Sequence, residues 1–229
     1  LAHPTASTMF NVVYQTYCTD IEKSINEVIN YYQEQNKNFS WWFSPLSTPK
    51  NMHLSLPPYG FIPEEIEYGM YLEEVSVSQE LPTSLDVKQP SHIEMYQDFI
   101  SIICSYDTEA LAYYNALDFS KVFATPAYRI FVGYNMNGEA VASASLYKTN
   151  KMIGIYDLIT KKGHQRKGYG TTMMYKLIQY AMEELETRLI FLTASSYDGL
   201  NIYKKLGFKT FCTFECLEFF STAKQSNKC

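Results

Sequence analysis

A chain of 229 residues with 46% hydrophobic and 19% charged side chains can form one large domain or two small ones, and it can bury a core without disulfides or metals. Its formal net charge of −5 argues against a general nucleic-acid or membrane-surface role, because proteins with such roles carry a basic face over much of the domain. No run of about 18 apolar residues is present, which excludes a membrane-spanning helix.

The five cysteines, Cys18, Cys104, Cys212, Cys216 and Cys229, are odd in number and lack zinc or disulfide-framework spacing. They fit incidental thiols in a reducing, cytoplasmic setting. The histidines His3, His53, His92 and His164 are scattered and point to no metal site. The opening LAHPTAST has neither a basic start nor an apolar segment, so it does not read as a signal peptide, and Met9 is a candidate natural start.

Val12 to Tyr17 predicts a strand, and Thr19-Asp20 predicts the cap of a helix over Ile21 to Gln35 with Ile21, Ile25, Val28 and Ile29 on one stripe. FSWWF, Phe39 to Phe43, predicts a short strand whose adjacent tryptophans point to opposite faces, and packing accounts for both. Turns follow at the S-P and T-P pairs. A short helical piece over Asn51 to Leu56 is broken by Pro57-Pro58, and Tyr59-Gly60-Phe61 leads to a segment over Ile66 to Val75. Pro82 to Pro90 has the composition of a linker, which divides the chain into a first half, 1–81, a linker, 82–90, and a second domain, 91–229.

Beyond it, Ile93 to Ile103 and Thr108 to Leu117 read as helices broken at Ser105-Tyr106-Asp107. Arg129 to Tyr134 and Ala140 to Tyr147 read as strands joined by the hairpin signal N-x-N-G-E, Asn135 to Glu139. IGIYDLIT, Ile153 to Thr160, is the next strand. Under strict alternation Ile153, Ile155, Asp157 and Ile159 share one face, and an aspartate among isoleucines needs an explanation. Partial desolvation would raise its pKa and fit it to take a proton; alternatively it is hydrogen-bonded to a loop or anchors a cationic group.

The strand runs into KKGHQRKGYG and then a helix with Met174, Leu177, Ile178, Ala181 and Leu185 on one stripe. A basic, glycine-broken turn before a helix favours an anion: the first helical N–H groups lack partners, and the helix dipole adds positive charge. Gly168 and Gly170 let main chain approach a phosphate closely. The third glycine of a dinucleotide fingerprint is missing, and no GK[ST] follows. What stands there, Gln165-Arg166-Lys167-Gly168-Tyr169-Gly170, resembles the Q/R-x-x-G-x-G/A signature of the GCN5-related N-acetyltransferases. Downstream, the strand Leu189 to Ala194 and GLNIYKKLGF, Gly199 to Phe208, resemble that family's last helix and its LYxxLGF ending.

The resemblance covers about Ser91 to Phe220 and is most specific from Ile153 to Phe208. It implies an α/β (α+β) fold, a mixed, mostly antiparallel sheet with flanking helices, here preceded by a truncated half of the same kind. It also implies acetyl transfer from acetyl-coenzyme A to a primary amine of a small molecule or peptide in a ternary complex. Pantetheine would lie along the main chain of Leu158, Ile159 and Thr160, and Gln165, Arg166, Lys167, Gly168, Tyr169, Gly170 and Thr171 would surround the pyrophosphate. Tyr203 is placed as the general acid for the departing thiolate, against the plainer alternative of a core aromatic. Asp157 is the candidate base or substrate anchor, although family members often bulge this strand, which would upset the alternation. Ser196 stands where many relatives carry Asn, which puts one side-chain contact with the cofactor in question. No metal, nucleic acid or membrane is implied, and the expected state is a monomer or homodimer. Glu139 and His164 read as solvated surface groups. Two rival readings are an inactive coenzyme A-binding or interaction module and an enzyme for another acyl donor.

An internal echo accompanies these motifs. Strand, loop, short helix, Gly-Phe and strand recur in both halves, with Gly60-Phe61 matching Gly207-Phe208 and nearly equal spacing from Phe43 to Phe61 and from Phe191 to Phe208. The position matching Tyr203 is Leu56, so the first copy, a degenerate half, would have lost the chemistry.

Overall fold

The structure is a computed structural model that describes residues 3, 5–14, 16–64, 66–73, 81–106, 108, 110–183, 185 and 189–221. In chain order its elements are β1 (Val12–Val13), α1 (Ile21–Gln33), β2 (Phe39–Phe43), β3 (Ile62–Pro63), β4 (Glu67–Leu72), β5 (Asp86–Lys88), α2 (Ile93–Ile103), α3 (Ala110–Ala116), α4 (Phe119–Ala124), β6 (Tyr128–Tyr134), β7 (Ala140–Lys148), β8 (Ile153–Thr160), α5 (Tyr169–Glu183), β9 (Ile190–Ala194), α6 (Tyr197–Lys205) and β10 (Lys209–Phe219). Short 3₁₀ turns at Met52–Ser55 and Pro57–Tyr59 lie between β2 and β3. This is the expected mixed, mostly antiparallel sheet architecture with flanking helices.

The chain forms two compact units, one of residues 1–69, 193–200 and 210–229, the other of 70–192 and 201–209. The expected division into 1–81 and 91–229 differs from this. The reason is the last strand: β10 pairs antiparallel with β2, from Glu215↔Phe43 to Phe219↔Phe39, so the chain's end joins the unit built by its beginning. The expected linker differs too. Its Asp86, Val87 and Lys88 form β5, which pairs with β6, and Leu85 is buried, so this proline-bounded stretch is an edge strand.

In the first unit, β1 runs parallel to β2 and β3 pairs with β10. Asp20 caps α1 by accepting from Lys23 N–H at 3.0 Å, and the helix buries Ile25, Ile29 and Tyr32. These meet Phe39, Trp41, Phe43, Phe61, Leu217 and Phe219 in one core. Tyr32 stacks on Phe39 at 4.3 Å and Phe61 meets Phe219 at 5.0 Å, contacts worth about 0.5–1.5 kcal/mol each beyond area burial. Alternation separates the tryptophans as expected: Trp41 is buried and donates from Nε1 to Thr16 Oγ1, while Trp42 is half-buried beside Phe214. The predicted opening strand keeps only Val12–Val13, with Tyr17 in an isolated bridge to Thr48. Of the segment Ile66 to Val75, β4 covers Glu67–Leu72, and Val75 lies outside the described residues.

In the second unit, β5, β6, β7 and β8 form an antiparallel run, and β9 adds in parallel to β8. From Val141 to Leu146 every residue of β7 is buried, which requires cover on both faces; α2 and α5 pack on this sheet. α5 buries Met174, Leu177, Ile178 and Ala181 of the predicted stripe, and Leu185, just past its end, is half-buried. The hairpin between β6 and β7 is held by Asn135, whose Oδ1 accepts from the N–H groups of Asn137 and Glu139. α2 has the predicted bounds, and α4 is an addition: Asp118 caps it by accepting from Ser120 N–H.

Candidate active site

The centre of the site is a bulge in β8. Ser145 pairs with Tyr156 and Ser143 with Ile159, so Asp157 and Leu158 together face the single residue Ala144, and Asp157 takes a left-handed φ of 54°. Aspartate is one of the few side chains that tolerates this conformation. The consequence corrects the alternation expected from the sequence. Ile153 and Ile155 remain buried on one face, opposite Lys148 and Leu146. Asp157 turns instead to the face of Ser145 and Tyr156, because an extra residue in a two-residue repeat inverts everything after it.

On that face Asp157 sits among hydroxyls rather than isoleucines. Tyr114 of α3 donates to its Oδ1 at 2.8 Å and Ser145 donates to its Oδ2 at 2.5 Å, while Tyr128 of β6 lies close enough to feel the carboxylate's charge. Ser143 donates to its main-chain oxygen at 3.1 Å. Surface area leaves Asp157 half-buried, yet protein atoms surround the carboxyl closely, and the crowding governs its titration. Burial pushes its pKa above the usual carboxylate range, while the hydroxyls around it pull the other way. Burial, helped by the Asp157 charge, also pushes Tyr114 and Tyr128 up, so both keep their protons and stay donors. Tyr96 fixes α3 by donating to Tyr114 O at 2.9 Å.

Sequence reasoning found Asp157 but missed Tyr114, Tyr128, Ser143 and Ser145. A signal was present: Ser143 and Ser145 are polar residues two apart in the apolar run AVASASLY, and both are fully buried.

β8 also has a free edge. Among the described residues its ladder with β9 consists of Ile153↔Ile190 and Gly154↔Phe191, which leaves Ile155–Thr160, including Leu158, Ile159 and Thr160, beyond the paired stretch. The strand then enters the glycine loop, where Gly163, Arg166 and Gly168 have φ of 85°, 60° and 84°. Such left-handed residues among right-handed ones turn successive N–H groups toward one point, an anion-binding arrangement, and α5 begins immediately after at Tyr169. Gln165, Arg166 and Lys167 are exposed, and Gly168, Tyr169, Gly170 and Thr171 are half-buried. A Cβ at Gly168 would lie 2.8 Å from Pro82 Cβ, and one at Gly170 would lie 3.1 Å from Thr160 Oγ1. Gly168 therefore needs glycine and Gly170 has little room for more, and the residues fit a pyrophosphate approached by main chain.

Tyr106, in the turn after α2, joins strand to loop: its hydroxyl donates to Thr160 O at 3.0 Å and accepts from Gln165 Nε2, and Lys162 lies 5.2 Å from its ring centre. The neighbouring Asp107 lies outside the described residues. His164 differs from a plain surface group, since its Nδ1 is buried without a hydrogen-bond partner.

Tyr203 is half-buried on α6, with its ring 5.9 Å from Phe208 and its carbonyl accepting from Leu206 and Phe208 N–H. Gly207 closes that helix with φ 93°. Ser196 belongs to the other unit and is exposed; its hydroxyl accepts from Gly199 N–H and its carbonyl from Leu200 N–H at the start of α6. Among the described residues no group of three or more His, Cys, Asp or Glu side chains is placed to hold a metal ion.

Comparison with known proteins finds the same fold elsewhere. A conserved protein of unknown function from Staphylococcus epidermidis aligns over 95% of this chain and 87% of its own at 16% identity and a TM-score of 0.71. A GCN5-related N-acetyltransferase from Kribbella flavida aligns over 90% and 79% at 16% identity and 0.65. A tandem GNAT protein from the clavulanic acid biosynthesis pathway aligns over 86% and 69% at 11% identity and 0.58. At such identities the likeness is one of fold. No curated protein sequence matches the chain. The family model described as Acetyltransferase (GNAT) family matches residues 93–208, from the start of α2 to Phe208, so on just over half of its length the chain belongs to the GNAT acetyltransferase family.

Proposed function

We propose that the protein is an N-acetyltransferase that moves an acetyl group from acetyl-coenzyme A to a primary amine by direct attack in a ternary complex. The observation that carries the reading is the continuity of the bulged, free-edged β8 with a loop of left-handed residues at the N-terminus of α5. The main chain of Leu158, Ile159 and Thr160, beyond the ladder with β9, suits an extended pantetheine, as an exposed sheet edge suits a peptide. N–H groups from Arg166 to Thr171 and the charges of Arg166 and Lys167 suit the pyrophosphate. Bound there, acetyl-coenzyme A supplies the thioester. Asp157 takes the proton that the amine must lose, and the hydroxyls of Tyr114 and Ser145 hold its carboxyl in place. Tyr203 keeps a proton for the departing sulfur, as the family ending it shares implies. Ser196 is the position where a side-chain contact common in relatives is replaced.

We also propose that residues 1–81 descend from a degenerate copy of the same fold. Gly60 and Gly207 support this: one follows a 3₁₀ turn and the other the helix α6, their φ are near-identical, 94° and 93°, and both precede a buried phenylalanine, Phe61 and Phe208.

Calorimetry tests the cofactor site. Acetyl-coenzyme A is expected to bind the wild-type protein, and Gly168→Asp, which drives a side chain toward Pro82 and adds negative charge to the loop, is expected to abolish binding. Unchanged affinity in a folded Gly168→Asp variant would refute the placement. Mass spectrometry with acetyl-, propionyl- and succinyl-coenzyme A against an amine panel identifies the donor.

A further inference from the structure

Asp157 is a crowded carboxylate that has no ion-pair partner among the described residues; every group fixing it is a neutral hydroxyl. A charge in that position is stable when a cation can reach it. Tyr128, which lies close enough to Asp157 to feel its charge, lines a cavity of about 580 Å³, together with Tyr113, Tyr147, Leu117 and Val122. Tyr128 and Tyr147 are directly opposed across β6 and β7, so their rings rise side by side from one face of the sheet. Tyr113 is close enough to Asp157 to feel its charge.

The rest of the lining narrows the ligand. Among its described residues there is no Asn, Gln, Glu or Arg, and the two charged side chains, Asp118 and Lys121, lie 3.6 Å apart and compensate each other. Thr125 Oγ1 already donates to Lys121 O, so the groups left to a polar ligand are the tyrosine hydroxyls. An amino sugar or a peptide would bring more hydroxyl or amide groups than these can pair, and unpaired polar groups discriminate strongly against binding. An alkyl chain or an aromatic ring has no such requirement. Tyrosine rings around a carboxylate are the surroundings in which an ammonium ion is held.

We propose that the acceptor is a primary amine on an apolar or aromatic body, taken up as its ammonium ion in the cavity of Tyr113, Tyr128 and Tyr147 in front of Asp157. This inference rests on the acetyltransferase reading and names its substrate class. In the reaction the ammonium gives one proton to the Asp157 carboxylate, which leaves a neutral amine and a neutral carboxyl. The amine nitrogen then forms its bond to the thioester carbonyl carbon, the carbon–sulfur bond breaks, and the sulfur leaves with the proton of Tyr203. The second proton of the nitrogen passes to water.

The test uses the full chain at saturating acetyl-coenzyme A. Hexylamine and phenethylamine are expected to show kcat/KM at least about tenfold above glucosamine and above an alanyl peptide. Hexyltrimethylammonium, which cannot be acetylated, is expected to bind as read by NMR line broadening and to compete with hexylamine, whereas hexanol is not. Tyr147 is 47% exposed, so it tolerates substitution. Tyr147→Leu is expected to raise the hexylamine KM roughly five- to tenfold with kcat little changed, and Tyr147→Phe to stay within about twofold of wild type, because the ring and not the hydroxyl makes the contact. Preference for glucosamine or the peptide, equal binding of hexanol, or a Tyr147→Leu variant with the wild-type KM would each overturn the substrate class and leave acetyl transfer standing. Failure to bind acetyl-coenzyme A would overturn the underlying reading instead, and hexyltrimethylammonium binding would still decide the cation site.

Discussion

Asp157 is a residue whose value for chemistry and cost to stability have one origin. Burial raises its folded pKa above the value of the unfolded chain, so the folded state binds more protons than the unfolded state between those two values. Its contribution to stability is therefore fully present below the unfolded carboxylate pKa and is lost as pH rises through the folded one. Asp157→Asn removes this dependence. The difference in urea midpoint, variant minus wild type, is expected to grow as pH rises from about 4, the usual aspartate pKa, and then level off. A difference that is flat or shrinks over that range would show that the hydroxyl donors, not burial, set the titration. The variant is also expected to lose most of its turnover, since an amide takes up no proton. Tyr203 makes a separate case: Tyr203→Phe is expected to lower kcat by roughly 10² to 10⁴ with acetyl-coenzyme A affinity unchanged, read by calorimetry beside single-turnover kinetics. Wild-type single-turnover rates would reduce it to a packing residue against Phe208. Asp157 stands out in the sequence as a polar intruder in an apolar strand, and the helix that carries Tyr203 by the ending it shares with the family. The groups around Asp157 do not, because they come from α3, β6 and β7, and no local pattern records which elements converge.

At the scale of elements, periodicity decided what was legible. Long repeats were read to within a residue or two: α2 and β8 have their predicted bounds, and α5 buries its predicted stripe. β5 was hidden because proline and polar residues surround it and its strand character arises only from pairing with β6. The bulge was hidden for a related reason, since Asp157-Leu158 has no sequence mark that distinguishes an inserted residue from an alternating one. The loop before α5 was legible by its glycines, but not its left-handed Arg166. That residue allows a separation of structure from binding. Arg166→Gly relieves left-handed strain of about 1 kcal/mol and adds a similar backbone entropy cost, so its melting temperature is expected to match wild type. Arg166→Val, β-branched at a positive φ, is expected to lose about 1–2 kcal/mol. Both remove the same charge, so both are expected to weaken acetyl-coenzyme A binding several-fold at low salt and less at high salt. Equal stability of the two variants, by thermal melting, would show that the left-handed backbone at this position is not kept in solution.

At the scale of the whole molecule, the decisive contact is between ends of the chain. The first unit builds its core from Ile25, Ile29, Tyr32, Phe39, Trp41, Phe43 and Phe61 on one side of the sequence and Leu217 and Phe219 on the other. No sequence pattern could show this, because β2 and β10 are apolar strands from opposite ends of the chain, and apolar strands advertise burial without naming a partner. The arrangement makes a fragment of residues 82–229 a sharp test. It keeps Pro82 against Gly168 and so leaves the glycine loop packed. It loses all five register partners of β10 from Glu215 to Phe219 and bares Cys216, Leu217 and Phe219. Baring Leu217 and Phe219 alone forfeits about 3–6 kcal/mol of burial, a large share of the roughly 5–15 kcal/mol that holds an ordinary domain. It also leaves an apolar edge open to pairing with other chains. The fragment is therefore expected to aggregate or melt far below the full chain, and co-expression with residues 1–81 is expected to restore a soluble complex through β2 pairing. A fragment that stays monomeric by light scattering, with the full chain's melting temperature, would show that β10 needs no partner from the beginning of the chain. The first half would then be an attachment and not a part of the fold.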